Sequence, residues 1–331
     1  MVKIYYINGN GVIKRRKNNI SILKIDKTEK VEKIIPINNI DLINCIGAVS
    51  LSSGVISLIS KRTICINFIS KYGFLKGSFQ SRKSNSNGTL LIKQCEHFID
   101  KNKRLVLAKK FLYGGFQNMI RNLEYYNRRG YDFERELVFI KESAEKIKFE
   151  NKINSLMAIE GNIRNEYYKI FNKILPEEFK FFTRTKNPPK DKINCLISFG
   201  NCLLYSILIK QIYKTPLDQS VSYLHEPIVN RFSLSLDISE VFKPLIVDRV
   251  ILKIIRKDII KNHHFNIKND IVYLNENGRK VFIENFEDKI NKTIKINNKK
   301  ISYKNLLLME CYKLIKHFHG LKTYEPYVSG W

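Results

Sequence analysis

The sequence predicts an α+β protein with two domains, a small N-terminal β-rich domain and a larger all-α C-terminal domain. Three observations predict this class. The N-terminal quarter carries short β-branched runs, the remainder carries long helical periods, and a segment without apolar residues separates them. With 331 residues, of which 44% are hydrophobic, the chain can bury sizeable cores and is unlike a disordered protein.

The N-terminal domain, residues 1–80, is predicted as a series of strands. Residues 4–7 and 12–13 flank an Asn-Gly-Asn-Gly segment and are expected to form a hairpin, because Asn-Gly favours hairpin turns. A short helix is expected at 53–61, where the apolar spacing is helical. The remaining strands are predicted at 20–25, 31–37, 40–51, 63–70 and 73–79.

Residues 81–88 (SRKSNSNG) contain no apolar side chain and are predicted to be the interdomain linker. Residues 89–331 form the predicted helical domain. In its first helical stretch, residues 90–129, we expect Gly114-Gly115 to interrupt the helix. Further helices are predicted at 133–148, 153–174, 193–212, 236–261 and 303–317.

The charge of the chain points to a polyanionic partner. Lys and Arg number 58 against 31 Asp and Glu, a net charge of +27, and self-repulsion of this size favours binding to nucleic acid or, second, to an anionic membrane surface. The alternative is a general enrichment in lysine. The longest uncharged run, residues 193–209, contains polar residues that a lipid-exposed helix would place poorly, so we expect a buried core helix and no membrane protein.

The six cysteines form no C-x-x-C pair, which argues against a zinc knuckle or a redox motif. Their wide spacing in a long chain does not call for a disulfide scaffold. We therefore expect buried free thiols in a reducing cytoplasm, and no signal peptide.

Three stretches in the helical half contain candidate catalytic residues. In the first, Glu160 interrupts an apolar run on a helix, and a buried carboxylate is costly unless it is paired or bound to metal. The alternative is an ordinary i,i+4 salt bridge between Glu160 and Arg164. In the second, His225 lies in a turn-prone loop, although a single histidine more often serves structure than metal binding.

In the third stretch, Asp237 and Glu240 are spaced i,i+3 on one face of a predicted helix. Two close carboxylates persist among apolar residues if a cation lies between them, or if both reach water at a helix N-terminus. Together, two carboxylates and one imidazole make an oxygen and nitrogen ligand set that suits Mg²⁺ or Mn²⁺. A divalent metal on a basic surface is typical of phosphodiester chemistry. The spacing alone leaves open whether Glu160, His225 and Glu240 meet.

In this order and spacing, the three stretches resemble the CRISPR-associated adaptation endonuclease/integrase, the Cas-one family, most closely its type I-B members. The resemblance extends over the whole chain. The other motifs that carry it are Lys3-Ile4-Tyr5-Tyr6-Ile7, Tyr72-Gly73-Phe74 with Gly77-Ser78-Phe79, Lys93-Gln94-Cys95-Glu96-His97, Ile197-Ser198-Phe199-Gly200-Asn201, Asp248-Arg249, Cys311-Tyr312-Lys313-Leu314 and Tyr324-Glu325-Pro326.

The resemblance implies that Glu160, His225 and Glu240 are catalytic metal ligands for Mg²⁺ or Mn²⁺ and that Asp237 supports them. It also implies a homodimer formed through the N-terminal β-domain, a catalytic helical domain, and a complex with the small Cas-two protein on double-stranded DNA. The chain has Lys243-Pro244 where many relatives have Arg-Pro, and lysine lacks the bidentate phosphate geometry of arginine.

The expected activity is metal-dependent cleavage and integration of DNA during spacer acquisition for antiviral defence, by attack of a 3′-hydroxyl on a phosphodiester. The absence of a G-x-x-x-x-G-K-[ST] loop agrees with a transesterification that needs no ATP. Two alternatives stay open, a general metal-dependent nuclease acting by hydrolysis and a non-enzymatic DNA-binding scaffold. The candidate DNA-binding residues are Arg164, Arg184, Lys186, Lys190 and Arg249, although each could equally be a solvated surface charge.

Overall fold

The computed structural model describes residues 2–25, 30–82, 85–186 and 188–330, so residues 83 and 84 of the predicted linker lie outside the described residues. The predicted fold class is confirmed, with strands in the N-terminal part and a larger helical C-terminal part. The strands are β1 (Lys3–Asn8), β2 (Gly11–Arg16), β3 (Asn19–Ile25), β4 (Lys30–Pro36), β5 (Ile40–Ile46), β6 (Val49–Leu51), β7 (Cys65–Ile69), β8 (Leu75–Phe79), β9 (Phe265–Lys268), β10 (Ile271–Leu274), β11 (Thr293–Ile296) and β12 (Lys299–Ser302). The α-helices are α1 (Ser53–Ser60), α2 (Gly88–Ile99), α3 (Lys101–Asn127), α4 (Glu134–Lys146), α5 (Ile153–Ile170), α6 (Lys192–Tyr213), α7 (Ser233–Lys243), α8 (Arg249–Arg256), α9 (Glu276–Asn291) and α10 (Tyr303–Phe318).

The N-terminal strands form two four-stranded sheets, in the orders β1-β5-β7-β8 and β4-β3-β2-β6. The predicted β1–β2 hairpin is wrong, because β1 pairs in parallel with β5 whereas β2 pairs with β3 and β6. The Asn-Gly segment instead carries the chain from one sheet to the other. Its Gly9 has a φ of +105°, and a Cβ on Gly47 would lie 2.6 Å from the Gly9 carbonyl oxygen. The glycines are therefore required by a close backbone crossing.

The β1-β5-β7-β8 sheet lies between two hydrophobic cores. One face, with Ile43 and Ile66, packs in a small core with α1, and the other face, with Leu42 and Cys65, joins the large core of the helical part. The central element of that large core is α6. Among the described residues it is the one helix long and apolar enough to cross a membrane, and 78% of its apolar window is buried inside the fold. All six cysteines are free and five are buried.

Helix α3 runs without interruption through Gly114-Gly115, so the predicted break there is wrong. The helices separate at Asp100, whose carboxylate caps α3 by accepting the backbone N–H groups of Asn102 at 2.9 Å and Lys103 at 3.0 Å. The glycines serve tertiary packing. A Cβ on Gly115 would lie 2.8 Å from the carbonyl oxygen of Glu240, so the missing side chain lets α7 approach the backbone of α3.

The helix predicted at 236–261 is divided into three parts. Helix α7 ends at Lys243, a π-helical turn covers Pro244–Asp248, and α8 ends at Arg256. Pro244 lacks the N–H that an α-helix would use at this point, and single π turns inside helices are frequent at functional sites. The turn changes the direction in which the following residues point.

The helical part also contains two short antiparallel hairpins, β9–β10 and β11–β12, which the prediction of an all-α domain missed. Their turns are Asn269-Asp270 and Asn297-Asn298, and all four residues have positive φ angles. Asn and Asp pairs with positive φ are typical of two-residue hairpin turns, so this signal is present in the sequence. The boundary of the two domains at 81–88 stays a prediction.

Candidate active site

The three residues predicted as metal ligands line one cavity of about 970 Å³. Glu160 comes from α5, His225 from the loop between α6 and α7, and Glu240 from α7. Residues that are far apart in the sequence are thus brought to a single site. The cations that line it are Arg164, Arg184, Lys186, Arg231 and Lys243.

Arg164 lies between the two glutamates. Its Nε donates to Oε1 of Glu160, one helical turn earlier, and its Nη2 donates to Oε2 of Glu240. The salt bridge that the spacing of Glu160 and Arg164 left open as an alternative is therefore present. Burial acts to lower the pKa of Arg164, but the two carboxylates raise that pKa well above its ordinary value.

Glu240 is a buried and permanently charged acid. Lys243, one turn later on α7, donates from Nζ to Oε1 of Glu240 at 2.5 Å. Burial by itself raises the pKa of Glu240, but Arg164, Lys243 and His225 outweigh it and lower that pKa to about 2. The carboxylate therefore stays ionised throughout the physiological pH range.

Asp237 fixes the position of His225 through contacts with its backbone and its ring. Its Oδ2 accepts the backbone N–H groups of Tyr223 at 2.6 Å and Leu224 at 3.0 Å. Its Oδ1 accepts the backbone N–H of His225 at 2.9 Å and lies 2.8 Å from Nδ1 of the imidazole. The other ring nitrogen, Nε2, lies 3.9 Å from Oε1 of Glu240. A carboxylate behind a histidine is the arrangement that orients metal-binding imidazoles.

Within residues 2–25, 30–82, 85–186 and 188–330, no three His, Cys, Asp or Glu side chains stand close enough together to hold a metal ion. At this site the guanidinium of Arg164 is paired with both Glu160 and Glu240. The donors nevertheless fit a hard dication in kind, because carboxylate oxygens and one imidazole nitrogen face the same cavity. The two carboxylates already converge on a positive charge.

The predicted DNA-binding residues fall into three places. Arg164, Arg184 and Lys186 line the cavity, whereas Lys190 is exposed outside it and Arg249 lines a different pocket. Arg184 is held by the side chains of Asn194 at 2.7 Å and Ser198 at 2.9 Å. Burial, together with the charge of Lys243, lowers the pKa of Lys186.

Three residues of the cavity are missed or undervalued by sequence reasoning. Arg231 lies six positions after His225, and Tyr168 is two turns after Glu160 on α5. Lys243 stands out in the sequence only as a departure from a motif, yet it is buried beside Glu240. Helical spacing from Glu160 would have found Tyr168, whereas a loop residue such as Arg231 gives no periodic signal.

Asp248 is a buried carboxyl at the end of the π-helical turn. Among the described residues, neither of its carboxyl oxygens makes a hydrogen bond of ordinary geometry. Burial raises the pKa of Asp248 to about 7, although Arg164 and the nearby Tyr167 and Tyr168 hydroxyls oppose that rise. Ionisation of Asp248 therefore destabilises the folded state.

We expect the Asp248→Asn variant to gain stability over the wild type as the pH rises. The folded carboxyl holds its proton more tightly than the unfolded one, so wild-type stability is lost as the pH rises toward the folded-state pKa. Between about pH 5.5 and about pH 8, the stability advantage of the variant should grow by about 2 kcal/mol. Urea unfolding of both proteins at the two pH values measures this, and a difference that does not change with pH would contradict the assignment.

Comparison with known proteins identifies the family of the chain. The sequence model of the family described as CRISPR associated protein Cas1 matches residues 5–288. The chain is 43% identical over 331 residues to CRISPR-associated protein Cas1 1 of Methanobrevibacter ruminantium, covering 99% of each. It is 42% identical to the CRISPR-associated endonuclease Cas1 of Fusobacterium nucleatum, covering 100% of this chain and 98% of that protein. The solved structure of a CAS1 protein from Thermotoga maritima has a TM-score of 0.87 at 33% identity and covers 99% of this chain and 100% of that one. The chain therefore belongs to the Cas1 family.

Proposed function

We propose that this protein is a metal-dependent DNA integrase that inserts new spacers into a CRISPR array. The observation that carries the proposal is the convergence of Glu160, His225 and Glu240, from three separate elements, on one basic cavity. Membership of the Cas1 family supports it, as does the name of the Fusobacterium relative, which is an endonuclease. The net charge of +27 suits a polyanionic substrate.

In the proposed reaction, the 3′-hydroxyl of a captured DNA end gives up its proton, and its oxygen forms a bond to a phosphorus at the boundary of a repeat. The existing phosphodiester bond to the leaving 3′-oxygen breaks, and that oxygen takes up a proton. One phosphodiester replaces another, so the reaction needs no ATP. Water in place of the 3′-hydroxyl would give hydrolysis, which is the alternative activity.

The carboxylates of Glu160 and Glu240 and Nε2 of His225 would hold Mg²⁺ or Mn²⁺. Such an ion, when bound, orients the attacking oxygen and offsets the charge on the phosphate. Arg164 would then release at least one of its two carboxylate contacts. Asp237 keeps the His225 ring oriented in either state, because its four hydrogen bonds are independent of Arg164.

The remaining residues of the cavity would bind and position the DNA backbone. Arg184 and Lys186 place positive charge at the rim, where Arg184 is preorganised by Asn194 and Ser198. Tyr168 faces the same cavity, and burial raises its pKa, so its hydroxyl stays a neutral hydrogen-bond donor. The positive charges of Arg184 and Lys186 would stabilise the pentavalent phosphate of the transition state more than the phosphodiester of the ground state.

The partners follow from the same proposal. We infer that the protein works in the cytoplasm on double-stranded protospacer and repeat DNA, as a homodimer joined through its N-terminal β-domain and in complex with the Cas-two protein. Assignment to a type I-B system is part of this proposal. Each of these statements rests on the family resemblance and on the charge of the chain.

An integration assay tests the proposed reaction. The protein, with the Cas-two protein and Mn²⁺, is incubated with a supercoiled plasmid that carries a repeat array and with a short labelled duplex. The proposal predicts labelled plasmid, and a duplex with 3′-dideoxy ends should give none. Nicking without joining would favour the hydrolytic nuclease. DNA binding without either product would favour the scaffold.

A further inference from the structure

A second pocket, of about 580 Å³, lies between α3, α8 and α9. In the parts of the chain that the structure describes, it shares no lining residue with the candidate active site. Among the residues that the structure describes, seven lysine and arginine side chains line it, against a single acid, Asp288. These basic residues are Arg129, Arg249, Lys253, Arg256, Lys257, Lys289 and Lys292.

The positive charge of this pocket is largely uncompensated. Asp288 is 78% exposed and lies 3.9 Å from Lys253, which makes a weak and screened contact. Arg249 donates from Nε to the neutral amide oxygen of Asn122 at 2.7 Å. Two other cations lie on aromatic rings, Arg129 at 4.3 Å from the Tyr125 centroid and Arg256 at 5.3 Å from that of Tyr126. These neutral partners orient the guanidinium groups without cancelling their charge.

The pKa of Lys289 reflects the uncompensated positive charge of the pocket. Its Nζ lies 3.9 Å from the centre of the Tyr303 ring. Burial and the neighbouring charges of Arg249 and Lys292 lower the pKa of Lys289 to about 6. An anion placed among these groups would offset the repulsion between them and raise the pKa of Lys289, so that this lysine would bind the anion in its charged form.

We propose that this pocket binds the phosphodiester backbone of a DNA strand at a point separate from the candidate active site. The proposal rests on the function proposed above. The volume suits a phosphate with its sugar, and the fixed arginines offer the paired N–H donors that phosphate oxygens accept.

A buried contact joins the wall of the pocket to α5, the helix that carries Glu160. Asn122, in its wall, donates from Nδ2 to the hydroxyl of Tyr167 at 3.0 Å, and Tyr167 lies on α5 together with Glu160. Through this contact, a strand bound in the second pocket would be positioned relative to the helix that carries Glu160. The pocket would thus be a second binding site for the DNA substrate.

The test compares the double variant Arg256→Gln/Lys289→Gln with the wild type. Anisotropy of a labelled short duplex, measured over a salt series, gives the affinity and its salt dependence. We expect the affinity to fall at least about tenfold at moderate salt. The slope of log K against log salt should become shallower by about 1.8, or about 0.9 for each phosphate that the variant no longer neutralises. Lys280→Gln, an exposed lysine on α9 outside the pocket, should behave as the wild type.

Unchanged affinity and slope in the double variant would overturn the proposal. If that variant does not fold, Arg256→Gln alone decides, because this arginine is exposed and half of the slope change is then expected. Inorganic pyrophosphate, titrated into the wild type and the variant by calorimetry, tests the other source of phosphate. Pyrophosphate binding that disappears in the variant, with DNA affinity intact, would assign the pocket to a free phosphate compound and overturn the proposal.

The joining assay separates the two proposals. A wild type that joins DNA, beside a double variant that binds weakly and needs more DNA for half-maximal joining, supports both. If the variant binds DNA more weakly but the wild type joins no DNA, the integrase proposal is contradicted and the proposed DNA binding in the second pocket is supported. If the wild type joins DNA and the variant binds DNA as the wild type does, only the proposed DNA binding in the second pocket is contradicted.

Discussion

Glu160→Gln is expected to lower the rate of DNA joining by at least about a hundredfold, while DNA affinity stays the same or rises slightly. Removing even an outer-shell partner of a metal ligand costs about 10- to 100-fold in metal affinity or activity, and loss of a ligand should cost no less. Affinity should not fall, because the change removes a negative charge from a basic cavity. The plasmid joining assay and duplex anisotropy measure the two effects separately.

Glu166→Gln provides the matched control on the same helix. Glu166 is partly exposed, is paired with Lys169 at 2.7 Å and does not line the cavity. Its replacement should leave joining and binding unchanged. If Glu160→Gln joined DNA as fast as this control, the Glu160 carboxylate would be structural and the proposed chemistry would be wrong.

Arg164→Gln should destabilise the protein in metal-free buffer by about 3 kcal/mol, because breaking a buried ion pair leaves carboxylates without their partner. Glu240 keeps Lys243, so Glu160 bears most of the loss. In Mn²⁺ the variant should regain stability, and its melting temperature should rise more than that of the wild type. A cation entering the variant does not have to displace the guanidinium, and binding to the folded state alone stabilises it.

The control for this variant is Arg121→Gln. Arg121 forms a partly exposed i,i+3 pair with Glu124 at 3.1 Å, and Glu124 keeps a second contact with Lys141 at 3.8 Å. Loss of Arg121 should therefore cost under about 1 kcal/mol and should not create a response to Mn²⁺. Melting curves with and without Mn²⁺ compare the three proteins. Equal Mn²⁺ shifts in the wild type and Arg164→Gln would show that Arg164 does not compete with a metal.

The fold class could be predicted because local patterns carry it. Short β-branched runs, helical periods and the apolar-free segment at 81–88 are all visible in the sequence. Two of the errors arose where tertiary contacts decide. A turn signal at 8–11 does not specify which strands pair, and Gly114-Gly115 remains helical because α7 packs against it.

The candidate site was only partly predictable. Glu160, His225 and Glu240 stood out against their apolar or turn-prone surroundings and matched a family pattern. The spacing of Glu160 and Arg164 allowed either a salt bridge or a metal ligand, and it could not show that the same guanidinium also reaches Glu240 from another helix. Arg249 was grouped with the site because it is basic, whereas the direction set by the π-helical turn places it in the second pocket.

A crystal structure of the protein grown with Mn²⁺, with anomalous diffraction recorded at the manganese edge, tests the central claim most directly. We expect one anomalous peak in the cavity, bound by the carboxylates of Glu160 and Glu240 and by Nε2 of His225, with the Arg164 side chain moved away from at least one glutamate. A cavity without a peak, in which Arg164 still bridges both carboxylates at saturating Mn²⁺, would contradict the claim that these residues form a catalytic metal site.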